Sequence, residues 1–278
     1  MTYAGTFTID HLVKTELPPL PGSVMRISAM LQDMRVSQNA IAHAISLDPV
    51  LAARILRLAN SPIYALQRTV TNLTMAVSAV GNRAISETIL ISGIGDSFGV
   101  KVMNSDTGKS IWFHLLATAL AASDLCRLAK LRGSEEAFTC GLLHDIGKLI
   151  FLRADPDFYG RVMERGVDEG DLSTVEKEVF GFDHAELGFL AAESWRLPAT
   201  VCNMIRYHHR PSMATEALAM TGIVSIADSL VTLRQAGQPI EGLLYSSAVA
   251  SFGFNEIQFD YIWDNLVERL KELMNVFR

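Results

Sequence analysis

Apolar residues recur at helical spacing along nearly the whole chain, and the strict alternation of a half-buried strand is scarce. Leu51, Ile55 and Leu58 share one predicted helix face, with Arg57 turned well away from it. Leu17, Leu20, Val24, Ile27 and Leu31 make a second stripe. A third, amphipathic stretch from about Phe259 to Phe277 carries Phe259, Ile262, Leu266 and Leu270, a face able to cover either the core or a partner. The pattern predicts an all-α fold, a multi-helix bundle of a dozen or so short helices.

Start and stop signals divide that pattern. Asp48-Pro49 offers an N-cap followed by proline at the first helical position. Ser173 with Glu176 has the spacing of a capping box, and Ser134-Glu135-Glu136 places a cap and two carboxylates at another helix start. Asn60 and Ser61, ahead of Pro62, suit local backbone bonding at a helix end. Between Gly93 and Gly108, four glycines accompany Asn104, Ser105 and Asp106 among few periodic apolar positions. The expected division is therefore an N-terminal helical subdomain over 1–105 and a second helical subdomain over 106–278. Gly237-Gln238-Pro239 reads as a turn before the last helix.

Composition narrows the class. The chain has 278 residues, 49% hydrophobic and 19% charged, enough to bury a large core as one big domain or two fused ones. Its net charge of -6, with no block of Lys or Arg, lacks the electrostatic footprint of phosphate-backbone binding, so nucleic acid is not an expected partner. Cys126, Cys140 and Cys202 each sit in an apolar helical stretch without CxxC spacing, as buried thiols in a reducing compartment would. The opening MTYAGTFTIDHLVK has no signal-peptide pattern, and no uninterrupted apolar run approaches the roughly 18 residues of a membrane span. A cytoplasmic location without a membrane span is the expectation.

The chemistry lies in the second half. Of seven histidines, five (His114, His144, His184, His208 and His209) stand in apolar helical contexts there, and Asp145 and Asp228 accompany them. Each has an ordinary structural reading alone. His114 would be a hydrogen-bonded core histidine, Asp145 a cap before Gly147, His184 a helix-start residue, His208-His209 favourable charges at a helix C-terminus, and Asp228 a partner for a nearby arginine such as Arg234. Together those readings require six coincidences, because an unpaired buried imidazole or carboxylate costs several kcal/mol. A shared site for one or two divalent transition metals explains them at once, since imidazole nitrogen and carboxylate oxygen suit Fe, Mn, Zn or Ni. Lys148 would either reach an anionic substrate as a point charge or be solvated. His11 and His43 fall outside the cluster.

GLLHDIGKLIF, preceded by His114 and followed by HAELG, HH and Asp228, resembles the HD superfamily of metal-dependent phosphohydrolases. That resemblance implies His114, His144, Asp145 and Asp228 as metal ligands. His184, His208 and His209 look like the extra ligands of the binuclear HD-GYP phosphodiesterases, which cleave cyclic dinucleotides. The chain departs from that branch where RPSMATEAL follows His208-His209 in place of a Gly-Tyr-Pro segment, and where Ser110 stands in place of a carboxylate one turn before His114. LPPLPGSVMRISAML, SLDPVLAARILRLANSPIYA and TNLTMAVSAVGNRAI resemble the N-terminal hallmark of HDOD domains, a likeness running over about 15–215. HDOD domains are regarded as output or regulatory modules of bacterial signal transduction.

Two functions follow as expectations. The first is an HDOD-type regulatory module whose histidine and aspartate cluster holds metal structurally or forms a ligand pocket, with signalling proteins or a small phosphorylated ligand as partners. The alternative is a metal-dependent phosphohydrolase or phosphodiesterase acting on a nucleotide or cyclic nucleotide, in which Asp145 bridges and Lys148 steadies the anion. A third reading, a vestigial cluster without metal, stays open beside them.

Overall fold

The structure is a computed structural model, and it describes residues 8–66 and 68–276. The first seven residues of the N-terminal segment and Phe277, the expected end of the last helix, lie outside the described residues. In chain order the helices are α1 (Ile9–Thr15), α2 (Gly22–Gln32), α3 (Gln38–Ser46), α4 (Pro49–Ala59), α5 (Leu73–Val80) and α6 (Asn82–Asn104). There follow α7 (Asp106–Leu128), α8 (Ser134–Leu143), α9 (Ile146–Ala154), α10 (Pro156–Glu169), α11 (Leu172–Phe180) and α12 (His184–Ser194). The chain continues through α13 (Ala199–Tyr207), α14 (Leu218–Gln235), α15 (Glu241–Leu244), α16 (Ser247–Phe252) and α17 (Glu256–Val276). No strand occurs among the described residues, as the 3.6-residue periodicity requires.

The chain forms two compact units. One is Leu20–Ser97 together with the stretch from Asn265 on; the other is the stretch up to Pro19 together with Phe98–Asp264. In the first, Val24, Ile27, Ile41, Ile45, Ile55, Val77, Ile85 and Ile89 build one apolar core. Asp48 caps α4 by accepting from the Leu51 N–H at 3.0 Å, with Pro49 at the first helical position, so Leu51, Ile55 and Leu58 turn inward as their spacing requires. Asn60 then ties the end of α4 to Val70: its Nδ2 donates to the Leu56 and Val70 carbonyls, and its Oδ1 accepts from the Val70 N–H at 2.8 Å. Because α2 begins only at Gly22, Leu17 and Leu20 precede it half-buried instead of continuing its stripe.

The glycine-rich stretch from Gly93 to Gly108 is not the loop its composition suggests. It is helical except at Gly99, whose φ of 77° interrupts α6, and at the Ser105 bend before α7. Gly93 serves close packing: a Cβ there would fall 2.3 Å from Val24 Cγ2. Two cap readings also shift. The cap of α8 is Gly133, with Ser134 already inside the helix, and the cap of α11 is Asp171, which leaves Glu176 free of a capping role.

The second unit is built around α7, which packs against α8 and α14. By length and composition α7 is the one candidate membrane span among the described residues, with 67% of its apolar window buried inside the fold. A fully buried Leu or Ile such as Leu115 or Ile223 contributes about 1.5–3 kcal/mol to this packing. All three cysteines are buried free thiols. Phe259 and Ile262 of α17 are buried in this unit, and Leu266 and Leu270, in the stretch from Asn265 on, are buried as well.

Candidate metal centre

Every chemistry-bearing residue singled out in the sequence lies in the unit built around α7. His114 projects from the middle of α7, His144 and Asp145 fill the junction between α8 and α9, and His184 opens α12. His208 and His209 follow the last turn of α13, and Asp228 lies within α14. Two glycines let these elements close. A Cβ on Gly141 would meet the Ala119 Cα at 2.7 Å, so α8 can lie against α7 and bring His144 to His114. A Cβ on Gly147 would meet the His184 carbonyl oxygen at 2.1 Å, so α9 can approach the start of α12. Asp145 occupies the N-cap position of α9, yet its side chain makes no capping bond and turns into the cluster.

The two oxygens of Asp145 face two groups of donors. Oδ2 lies 3.3 Å from His144 Nε2 and 3.5 Å from His114 Nε2. Asp228 Oδ1 completes that side, 3.1 Å from His114 Nε2 and 3.7 Å from His144 Nε2. Oδ1 of Asp145 lies 3.0 Å from His184 Nε2 and 3.5 Å from His208 Nε2. His209 Nε2 joins this second side, 2.8 Å from His184 Nε2. His144, His208 and Asp228 also converge closely enough to hold an ion, so the two sides share a boundary.

The imidazole protons show what this arrangement requires. His144 Nδ1 donates to the Gly141 carbonyl at 2.8 Å, His208 Nδ1 to the Ile205 carbonyl at 2.6 Å, and His184 Nδ1 to Glu176 Oε2 at 2.6 Å. With their protons fixed outward, all three rings aim Nε2 lone pairs into the cluster. Nitrogen against nitrogen at 2.8 Å, and 3.3 Å between His114 and His144, is repulsive unless a proton or a cation lies between. His208 Nε2 and Asp145 Oδ1 are buried without any hydrogen-bond partner. Orphaned lone pairs of both kinds, facing one another, are the donor set of a transition-metal site, and these residues fit one.

Without metal, protons hold the cluster together. Burial opposes the His144 charge, but the Asp145 and Asp228 carboxylates overcome it and push its pKa up to about 10. His184 follows, up to about 9, against burial and through Glu176 and Asp145. Burial and the neighbouring His208 and His184 press His209 down to about 2, and burial lowers His208. Asp145 and Asp228 are held well below the usual carboxylate range despite burial, Asp145 by His144, Lys148 and His184, Asp228 by His114 and His144.

Three expectations change. Lys148 is mostly buried instead of solvated, and its ammonium is paired with Asp145 Oδ2. Asp228 does not pair with Arg234, which takes Asp260 instead. Glu176 is the residue the sequence reading missed: it is fully buried, accepts from both the His184 N–H and Nδ1, and receives the Tyr159 hydroxyl at 2.6 Å. His11 and His43 stay exposed and apart, and Ser110 is exposed. The cluster opens to solvent chiefly at His209, whose side chain is 37% exposed.

A helical scaffold that gathers His and Asp side chains from α7, the α8–α9 junction, α12, the end of α13 and α14 is of the HD-like class. The chain belongs to the HDOD domain family, whose model matches residues 17–211. It is similar to the crystal structure of an HDOD domain protein of unknown function from Geobacter sulfurreducens (27% identity, TM-score 0.76, covering 95% of this chain and 96% of that one). It is also similar to a protein from Shewanella amazonensis SB2B provisionally named a phosphohydrolase (25% identity, TM-score 0.74, covering 96% of each chain). An uncharacterized protein from Treponema pallidum (strain Nichols) is 28% identical over 237 residues, which make up 81% of this chain and 44% of that protein. The chain thus spans less than half the length of this curated relative.

Proposed function

We propose that this protein is an HDOD regulatory module of signal transduction whose α7-centred unit holds two divalent transition-metal ions. The observation that carries the proposal is the division of Asp145 between two donor sets, with its Oδ1 and the His208 Nε2 both buried without a hydrogen bond. His114, His144, Asp145 and Asp228 would hold one ion; Asp145, His184, His208 and His209 the other. Four protein groups per ion close a tetrahedral zinc site, which favours a structural or ligand-sensing role over turnover. Fe or Mn would accept further oxygen ligands at the same donors, and a phosphate-bearing ligand could then enter beside His209. When bound, such ions polarise a phosphoryl oxygen and lower the pKa of water. The chain itself fixes imidazole orientation, excludes water from Asp145 and keeps Lys148 against that carboxylate.

Metal analysis after purification without chelators tests the reading directly. About two equivalents of Fe, Mn, Zn or Ni are expected, falling to none in Asp145→Asn; a metal-free wild type whose stability ignores EDTA refutes it. The second reading, phosphodiester hydrolysis, draws on the provisional name of the Shewanella amazonensis relative and on the completeness of the ligand set. Hydrolysis of bis-p-nitrophenyl phosphate or a cyclic dinucleotide that disappears in His144→Ala and Asp145→Ala would favour it. Wild-type rates in both variants would exclude this centre as the source.

A further inference from the structure

The two donor sets are unequal in carboxylates, and the Lys148 ammonium lies against Asp145 Oδ2 on the richer side. Around Asp145 Oδ2, Asp228 adds a second carboxylate directly, 3.1 Å from His114 Nε2. Around Asp145 Oδ1 the remaining donors, His184, His208 and His209, are all imidazoles. One histidine of that set differs from its companions. His144 and His208 give their outer protons to backbone carbonyls, whereas His184 gives its own to a carboxylate, Glu176.

Glu176 is not placed for solubility or for capping its own helix. It lies in the middle of α11 and is fully buried, with Tyr159 donating to Oε1 while Oε2 accepts twice from His184. The Tyr159 ring stacks on Phe151 at 5.0 Å between centroids, and Phe151 in turn stacks on Phe180 and Phe182. An aromatic wall therefore excludes water behind the carboxylate, and its charge acts through His184 with little screening. A carboxylate bonded to the outer nitrogen of a ligating imidazole fixes the tautomer and raises the basicity of the inner nitrogen.

The geometry points to Glu176 as a positioning residue that supplies, through the His184 ring, the negative charge which the imidazole-rich ion position lacks and which Asp228 gives directly to the other. This inference rests on the proposed two-ion centre. It makes Glu176 decisive for the ion held by His184, His208 and His209 and nearly irrelevant to the ion held by His114, His144 and Asp228.

The test is titration of the full chain, stripped of metal, with cobalt(II), following stoichiometry and the visible ligand-field bands. Wild type is expected to take two ions. In Glu176→Gln, which keeps the size and an oxygen acceptor but removes the charge, the affinity of one ion should fall about 10- to 100-fold while the other is retained. Glu176→Asp, which restores the charge, should recover part of that loss. A purely structural role for Glu176, as anchor of the His184 backbone, would weaken both ions in proportion or neither, and that result overturns the inference while leaving the two-ion centre standing. If wild type takes up no cobalt, the centre itself fails and the inference with it. Should Glu176→Gln not fold, Tyr159→Phe leaves the Glu176 charge in place and removes only the hydroxyl that shares it at Oε1: a change in affinity confined to the ion held by His184 supports the inference, and an unchanged ratio of the two affinities overturns it.

Discussion

At the scale of single residues, protons and the proposed metal ions would compete for the same nitrogens. Stripped of metal, His144 and His184 keep pKa values of about 10 and about 9, above the ordinary 6.5 of an unfolded histidine. Their contribution to stability is therefore complete below pH 6.5 and is lost as pH rises through 9 and 10. His209, pressed to about 2, acts oppositely: the unfolded chain gains a proton below pH 6.5 that the folded one refuses, so stability falls toward acid. The melting temperature of the stripped protein should consequently peak near neutrality and decline toward pH 10, whereas the loaded protein should hold its value on the alkaline side. Loading at pH 8 should also expel protons from His144 and His184, seen as a dependence of the calorimetric heat on buffer ionisation enthalpy; heats that do not vary with buffer would contradict it. Asp145→Ala leaves His144, His184 and Lys148 around an uncompensated gap and should cost about 3–5 kcal/mol in a urea titration of the stripped protein. The seven clustered side chains were legible because His and Asp in apolar helical contexts demand partners. Glu176 was not, because three positions after Ser173 it imitates a capping box, and sequence spacing does not say which way a carboxylate turns.

At the scale of elements, close approach decides the site. Helix periodicity was readable along most of the chain outside Gly93 to Gly108, as was the Asp48-Pro49 start of α4, because local chemistry specifies both. What spacing concealed was the use of glycine. Gly93 reads as a breaker and serves as a packing surface for Val24, while the true interruption is Gly99 with its positive φ. Gly147 has the same packing use against α12, and its Cβ-sized gap faces backbone that no rotamer change can move aside. Gly147→Ala should push α9 from the start of α12, cost about 1–3 kcal/mol by overpacking, and release metal because Asp145 loses its register with His184. A variant with unchanged metal content and an unchanged urea midpoint would show that the contact is not what sets the register.

At the scale of the whole molecule, every donor belongs to one of the two compact units. Chelation should accordingly raise amide hydrogen exchange in α7, α8, α12, α13 and α14 and leave the core of α2 to α5 near its loaded protection; equal loss in both would mean that the centre is not confined to its unit. The family was legible from the order of its motifs, and the matched span of residues 17–211 runs through both units. The path of the chain through those units gives the donors a place in time as well as space. It leaves the α7-centred unit for Leu20–Ser97, returns to it at Phe98, and contributes again to the other unit only from Asn265. A ribosome delivers residues in that order, and domains tend to fold as they emerge. Asp228, the last of the clustered side chains, is translated ahead of the Asn265 stretch, so a nascent chain can possess the whole His/Asp cluster while the other unit still waits for its closing segment.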